Sequence, residues 1–141
     1  MTGTTPLDYF PTEATRMPVG ALSHAVRFGD LIMLSATTPF TPDRDIVLND
    51  FAAQMRQCME NLRAVLADAG SDFAHVMKLE VQMLHPSDFT EMNRIFAEYF
   101  EPGHYPARAS IVVKALVVPE FLVQIHGIAV VARPAGAREP G

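Results

Sequence analysis

Few residues in this chain have the type and setting to do chemistry. Arg108 lies in the run Tyr105-Pro-Ala-Arg-Ala-Ser110, between a loop and an apolar strand. A planar guanidinium there can grip a carboxylate through two parallel hydrogen bonds. Taken alone, it can equally be a solvated charge or half of a surface ion pair. Five histidines, His24, His75, His85, His104 and His126, show neither the i, i+4 pair of a helical zinc site nor any clustering, so the reading carries no metal. Cys58 is the only cysteine, which excludes an internal disulfide and a cysteine zinc cage within one chain. No G-x-S-x-G, Walker loop or G-x-G-x-x-G occurs, which removes the standard serine hydrolase, nucleotide triphosphatase and dinucleotide readings.

The elements that must position these residues follow from length and pattern. A chain of 141 residues with 49% hydrophobic and 19% charged residues predicts one globular domain. Its folded part runs from about residue 18 to 132, with an irregular stretch up to Val19 and a loose tail over 133–141. A net charge of −5 has the wrong sign for holding nucleic acid. No apolar stretch approaches the roughly 20 residues of a membrane span, and the first residues do not resemble a secretory signal, so a cytoplasmic protein is expected.

Ser23 to Phe28 and Leu31 to Ser35 read as a hairpin about Gly29-Asp30. Phe51, Met55, Cys58, Met59, Leu62, Val65 and Leu66 recur at helical spacing up to Gly70, with Gln54, Arg56 and Gln57 assigned to the polar face. Met77, Leu79, Val81 and Met83 alternate with polar residues as a half-buried strand. Asp88 with Glu91 reads as a capping box for a second helix, whose apolar stripe is Phe89, Met92, Ile95, Phe96, Tyr99 and Phe100. Strands over Ala109 to Leu116 and Phe121 to Ala132 complete the order. The predicted class is α+β, with both helices on one face of a single mixed sheet. Val112, Val123 and Ile125 are expected on its open face, which would then pack against copies of the chain.

Four groups of residues together resemble one family. They are Gly20-x-x-Ser23-x-Ala25-Val26, Ser35-x-Thr37-x-Pro39, Gln54 followed by Glu60-Asn61-Leu62, and Pro106-Ala107-Arg108 after Ala97-Glu98-Tyr99-Phe100. Their order and spacing over about Pro18 to Val131 resemble the Rid (reactive intermediate deaminase) family. The resemblance implies a chorismate-mutase-like fold and a homotrimer with ligand sites in the clefts between subunits. It also implies cofactor-independent hydrolysis of 2-imino or 2-enamino acids to 2-keto acids and ammonia. By the same resemblance, Arg108 binds the substrate carboxylate, and Ser35, Asn93 and Ser110 are polar groups of the pocket.

Three positions depart from the family pattern. Gln124 stands where a glutamate positions water, Leu22 where a tyrosine closes the pocket, and Ala36 where a glycine backbone approaches the ligand. A glutamine holds water by hydrogen bonds but takes no proton as a carboxylate does. His126, two residues along the same strand face, is the candidate replacement base. Two functional classes therefore stand. One is an imine or enamine deaminase, with a variant narrowed to one enamine or unsaturated acid by the pocket changes. The other is a trimer that binds small carboxylates or keto acids and regulates a partner without turnover. The ribonuclease role attached to some members of the family is opposed by the net charge.

Overall fold

The computed structural model of the chain describes residues 6–11 and 20–133. Six strands, β1 (Leu7–Phe10), β2 (Ala25–Phe28), β3 (Leu31–Thr37), β4 (Val76–Met83), β5 (Ala107–Val112) and β6 (Val123–Val130), form one sheet in the order β1-β2-β3-β6-β4-β5. Helix α1 (Phe51–Asp68) joins β3 to β4, and α2 (Phe89–Ala97) makes the crossover between the one parallel pair, β4 and β5. Both helices pack on the same side, as the two amphipathic stripes require.

Local chemistry explains most of the boundaries. Asp50 accepts a hydrogen bond from the Ala53 N–H at 3.0 Å and starts α1, and Gly70 just past its end takes φ +84°. The capping box expected at Asp88 does not form. Asp88 closes a 3₁₀ turn over Pro86–Asp88 and has helical φ/ψ itself, so its carboxylate is not placed to accept from the next turn. The N-terminal stretch is not irregular throughout, because Leu7–Phe10 pairs antiparallel with β2. Residues 1–5 and 12–19 of that stretch, and the predicted tail apart from Arg133, lie outside the described residues.

The two faces of the sheet differ from expectation in an instructive way. Val123 and Ile125 were expected on the open face, yet both are fully buried beneath the helices with Leu79, Val81, Met83, Ile32 and Leu34. Strand alternation then places Gln124 and His126 on the open side. Val112 pairs with the buried Met83 and so shares the helix side as well, exposed only because β5 is the edge strand, and none of the three residues expected on the open face lies there. The apolar part of the open face lies elsewhere: Leu7, Phe28 and Leu31 share one cross-strand row, and Met33 pairs with Val26 beside Tyr9. Met77 is also exposed rather than inward, since the β4–β6 register shifts between Val76 and Lys78. The shift drives the Lys78 carbonyl into β6, where a Cβ on Gly127 would stand 1.9 Å from that oxygen, so only glycine fits.

Candidate functional site

Arg108 sits on β5 beside Leu79 of β4, with its side chain beneath α2. Its guanidinium carbon lies 4.8 Å from the centroid of Phe96 and 5.9 Å from that of Phe89. It lines a cavity of about 360 Å³ together with Asn93, Ala97, Tyr105 and Pro106. Other arginines have carboxylate partners: Arg56 with Glu98, Arg63 with Glu60, Arg94 with Glu91 and Arg133 with Asp30. Arg108 has none among the described residues, and its side chain makes no hydrogen bond to them either. Burial pushes its pKa down, the signature of a cation that has lost water without gaining an anion.

A second cavity, about 590 Å³, is lined by Leu22, Ser35, Ala36 and Gln124 with Phe40 and Phe121. The Ser35 hydroxyl donates to the Ser23 carbonyl at 2.5 Å, which ties the end of β3 to the segment before β2. The walls are held by two helix residues that sequence reasoning did not credit. Gln54, assigned to the polar face of α1, is fully buried. Its Nε2 donates to the carbonyls of Val47 and Glu120, both at 3.0 Å, and its Oε1 accepts from the Leu122 N–H at 2.7 Å. Asn61, seven residues on and so on the same face, donates through Nδ2 to the carbonyls of Thr38 and Phe40 at 2.8 and 2.9 Å. These two amides pin the loops that carry Phe40 and Phe121, whose rings meet edge to face at 5.2 Å. The seven-residue spacing of two amides on an otherwise apolar face was the available signal.

His126 belongs to neither cavity. It lines a smaller hollow of about 190 Å³ with Lys78 and Glu80, and its Nε2 is 2.8 Å from Glu80 Oε2. Gln124 instead bonds Gln82 through Nε2 at 2.5 Å. Ser110, half-buried on β5 beside Val81, is not among the residues lining the three cavities.

The fold therefore brings the sequence candidates together in two groups, Arg108 with Asn93, and Leu22, Ser35 and Ala36 with Gln124. The groups share no lining residue. β3 and β5 are separated by β6 and β4, which puts Ser35 and Arg108 about 14 Å apart across the sheet at the usual strand spacing. Neither cavity is lined by a carboxylate or an imidazole, so each can bind and orient but offers no strong base of its own.

Residues 12–131 match the family model described as Endoribonuclease L-PSP. A RutC family protein of Pyrococcus horikoshii is 34% identical over 84% of this chain and 93% of its own length. The 3-aminoacrylate deaminase RutC of Acinetobacter baylyi is 29% identical over 88% of this chain and 98% of its own. Among solved structures, the Rid-family protein YyfA of Yersinia pestis, described as of unknown function, superposes with a TM-score of 0.84 at 31% identity, covering 89% of this chain and 100% of its own.

Proposed function

The chain belongs to the endoribonuclease L-PSP family, the family of the Rid and RutC proteins, and from that premise we propose that it hydrolyses 2-imino or 2-enamino acids to 2-keto acids and ammonia. The observation that carries the reading is the desolvated Arg108 with no anion beside it. A substrate carboxylate supplies the missing charge through two N–H···O bonds. The face of Phe96 keeps the guanidinium plane in place, and the Asn93 amide is available to the substrate's polar end. Binding there orients the imine carbon for attack by water. Water adds across the carbon–nitrogen bond, a proton reaches nitrogen, and ammonia leaves as the carbonyl forms; no cofactor enters the balance.

We assign the second half of the site to another copy of the chain. One small acid cannot span the two cavities of a single protomer, and an oligomer in which the Leu22, Ser35, Ala36 and Gln124 group of one subunit faces Arg108 of the next would complete it. The exposed apolar rows of β1 to β3 are suited to burial in a homotrimer of this kind. We place the protein in the cytoplasm, a reading supported by its single, buried cysteine.

The rival reading is a binder of small carboxylates without turnover, favoured by the lack of a carboxylate in both cavities. Ammonia release from 2-imino acids generated in place by an amino-acid oxidase separates the two. Acceleration by the native protein but not by Arg108→Ala supports the deaminase. Thermal stabilisation by keto acids without product supports the binder.

A further inference from the structure

The open face of the sheet carries a line of four polar side chains, of which the proposed reaction uses only one. Two cross-strand pairs of β4 and β6 lie side by side, Glu80 opposite His126 and Gln82 opposite Gln124. Gln124 Nε2 is 2.5 Å from Gln82 Oε1, Gln82 Nε2 is 2.8 Å from Glu80 Oε2, and His126 Nε2 is 2.8 Å from that same oxygen.

The direction of each bond follows from what the groups can donate. An ionised carboxylate only accepts, and the Gln82 amide and His126 beside Glu80 hold its pKa below the ordinary value. Gln82 must therefore turn its NH₂ toward Glu80, which turns its carbonyl oxygen toward Gln124. Gln124 must then answer with its own NH₂, and His126 must carry a proton on Nε2. The two ends of an amide are nearly equal in shape, so this network is what distinguishes them. The orientation of Gln124 is set by a carboxylate it does not touch.

We propose that Glu80 and Gln82 are positioning residues that make Gln124 present its carbonyl oxygen to the cavity of Leu22, Ser35 and Ala36. There the oxygen accepts a hydrogen bond from the attacking water or from a substrate N–H. Gln124 thereby keeps the acceptor half of a carboxylate's work and gives up proton uptake. What it binds rests on the imine-acid reading above; its orientation does not.

The line has a polarity, and the polarity makes Gln124→Glu a poor way to restore a base. That change puts carboxylates at both ends of Gln82, which has one NH₂ to give, so Glu80 and the new group compete for it and one of them faces an acceptor oxygen. Exchanging the two ends, Glu80→Gln with Gln124→Glu, reverses the two bonds of Gln82, keeps that of His126 and satisfies every group. Gln82 then donates toward position 124, the amide at position 80 donates to Gln82 Oε1, and its oxygen accepts from His126. The titratable groups facing the line are Glu80, His126 and Lys78; β3 has no titratable side chain, and the only one on β5, Arg108, lies on the helix side.

Two measurements without substrate test this. In side-chain amide NMR of the native protein, the two Gln124 protons are expected to be widely separated, one bonded to Gln82 and one not. In Glu80→Leu they are expected to move toward free-amide values while the backbone spectrum reports an intact fold. Unchanged Gln124 resonances would overturn the proposal. In a carboxyl titration, the group at position 124 is expected to titrate at least one pH unit higher in Gln124→Glu than in Glu80→Gln/Gln124→Glu. Equal titration in the two variants would also overturn it. A native protein that turns over no imine would sink the deaminase reading and leave both of these results to stand.

Discussion

The guanidinium carbon of Arg108 lies 4.8 Å from the centre of the Phe96 ring, and among the described residues no carboxylate neutralises it. A partly desolvated, unpaired cation costs the free protein stability and is useful only when an anion arrives. Arg108→Met is therefore expected to leave thermal stability unchanged or raised while abolishing keto-acid binding. Arg108→Lys keeps the charge but loses the planar fork and its stacking, and kcat/KM should fall roughly tenfold to a hundredfold, the loss of about one charge-assisted hydrogen bond. Thermal melts and steady-state kinetics on the same preparations check both.

Gln54 satisfies three backbone groups from two separate loops with one amide. Replacement by leucine keeps the volume and leaves those groups buried and unpaired, at about 1–3 kcal/mol for each that finds no water. Urea unfolding of Gln54→Leu should show a loss of at least about 2 kcal/mol. Any substrate affinity should fall with it, because the loops that Gln54 holds wall the Ser35 cavity.

Gly127→Ala tests the sheet itself. Its Cβ would stand 1.9 Å from the Lys78 carbonyl oxygen, a backbone atom that cannot turn aside. β4 and β6 must separate locally, and the expected loss is at least about 3 kcal/mol, at the upper end for a single substitution. Equilibrium unfolding, or failure to recover soluble protein, reads the outcome.

His24 gives the stability a pH dependence. Burial lowers its pKa in the folded protein, outweighing the raising effects of Pro11 and Asp68. The unfolded chain, with a histidine near 6.5, then binds the proton more readily, so stability is complete above that pH and is lost as pH falls through it. Glu80, whose pKa is lowered, adds a further loss at more acidic pH. Urea midpoints at pH 8 and pH 5.5 should differ in that direction, and His24→Gln should flatten the difference above pH 5.5.

Much of the architecture is legible in the sequence. The 3.6-residue recurrence from Phe51 to Leu66, the alternation from Leu79 to Met83 and the Gly29-Asp30 turn each reflect a local rule with one dominant solution. Arg108 was also legible as the residue to watch, since a basic group entering an apolar strand needs a reason. Where the reading missed, local rules offered two solutions of similar cost. The acidic residue before α2 resembled a cap, but the 3₁₀ turn begun by Pro86 carried Asp88 into the helix. Gln54 looked like solvent-facing polarity until the backbone groups of two distant loops proved to be its partners.

By itself the sequence determined the element types, their order and the family, because periodicity, turn residues and motif spacing are properties of the chain's own covalent geometry. Only the tertiary structure decided which side of the sheet the helices cover. Alternation makes two faces and names neither, and the crossovers buried Val123 and Ile125, leaving Gln124 and His126 on the other side. The same choice set Gln124 opposite Gln82 and Glu80 opposite His126. It also put Arg108 and Ser35 in different cavities. Cross-strand register and the packing of distant loops are fixed by long-range contacts, and no local pattern contains them.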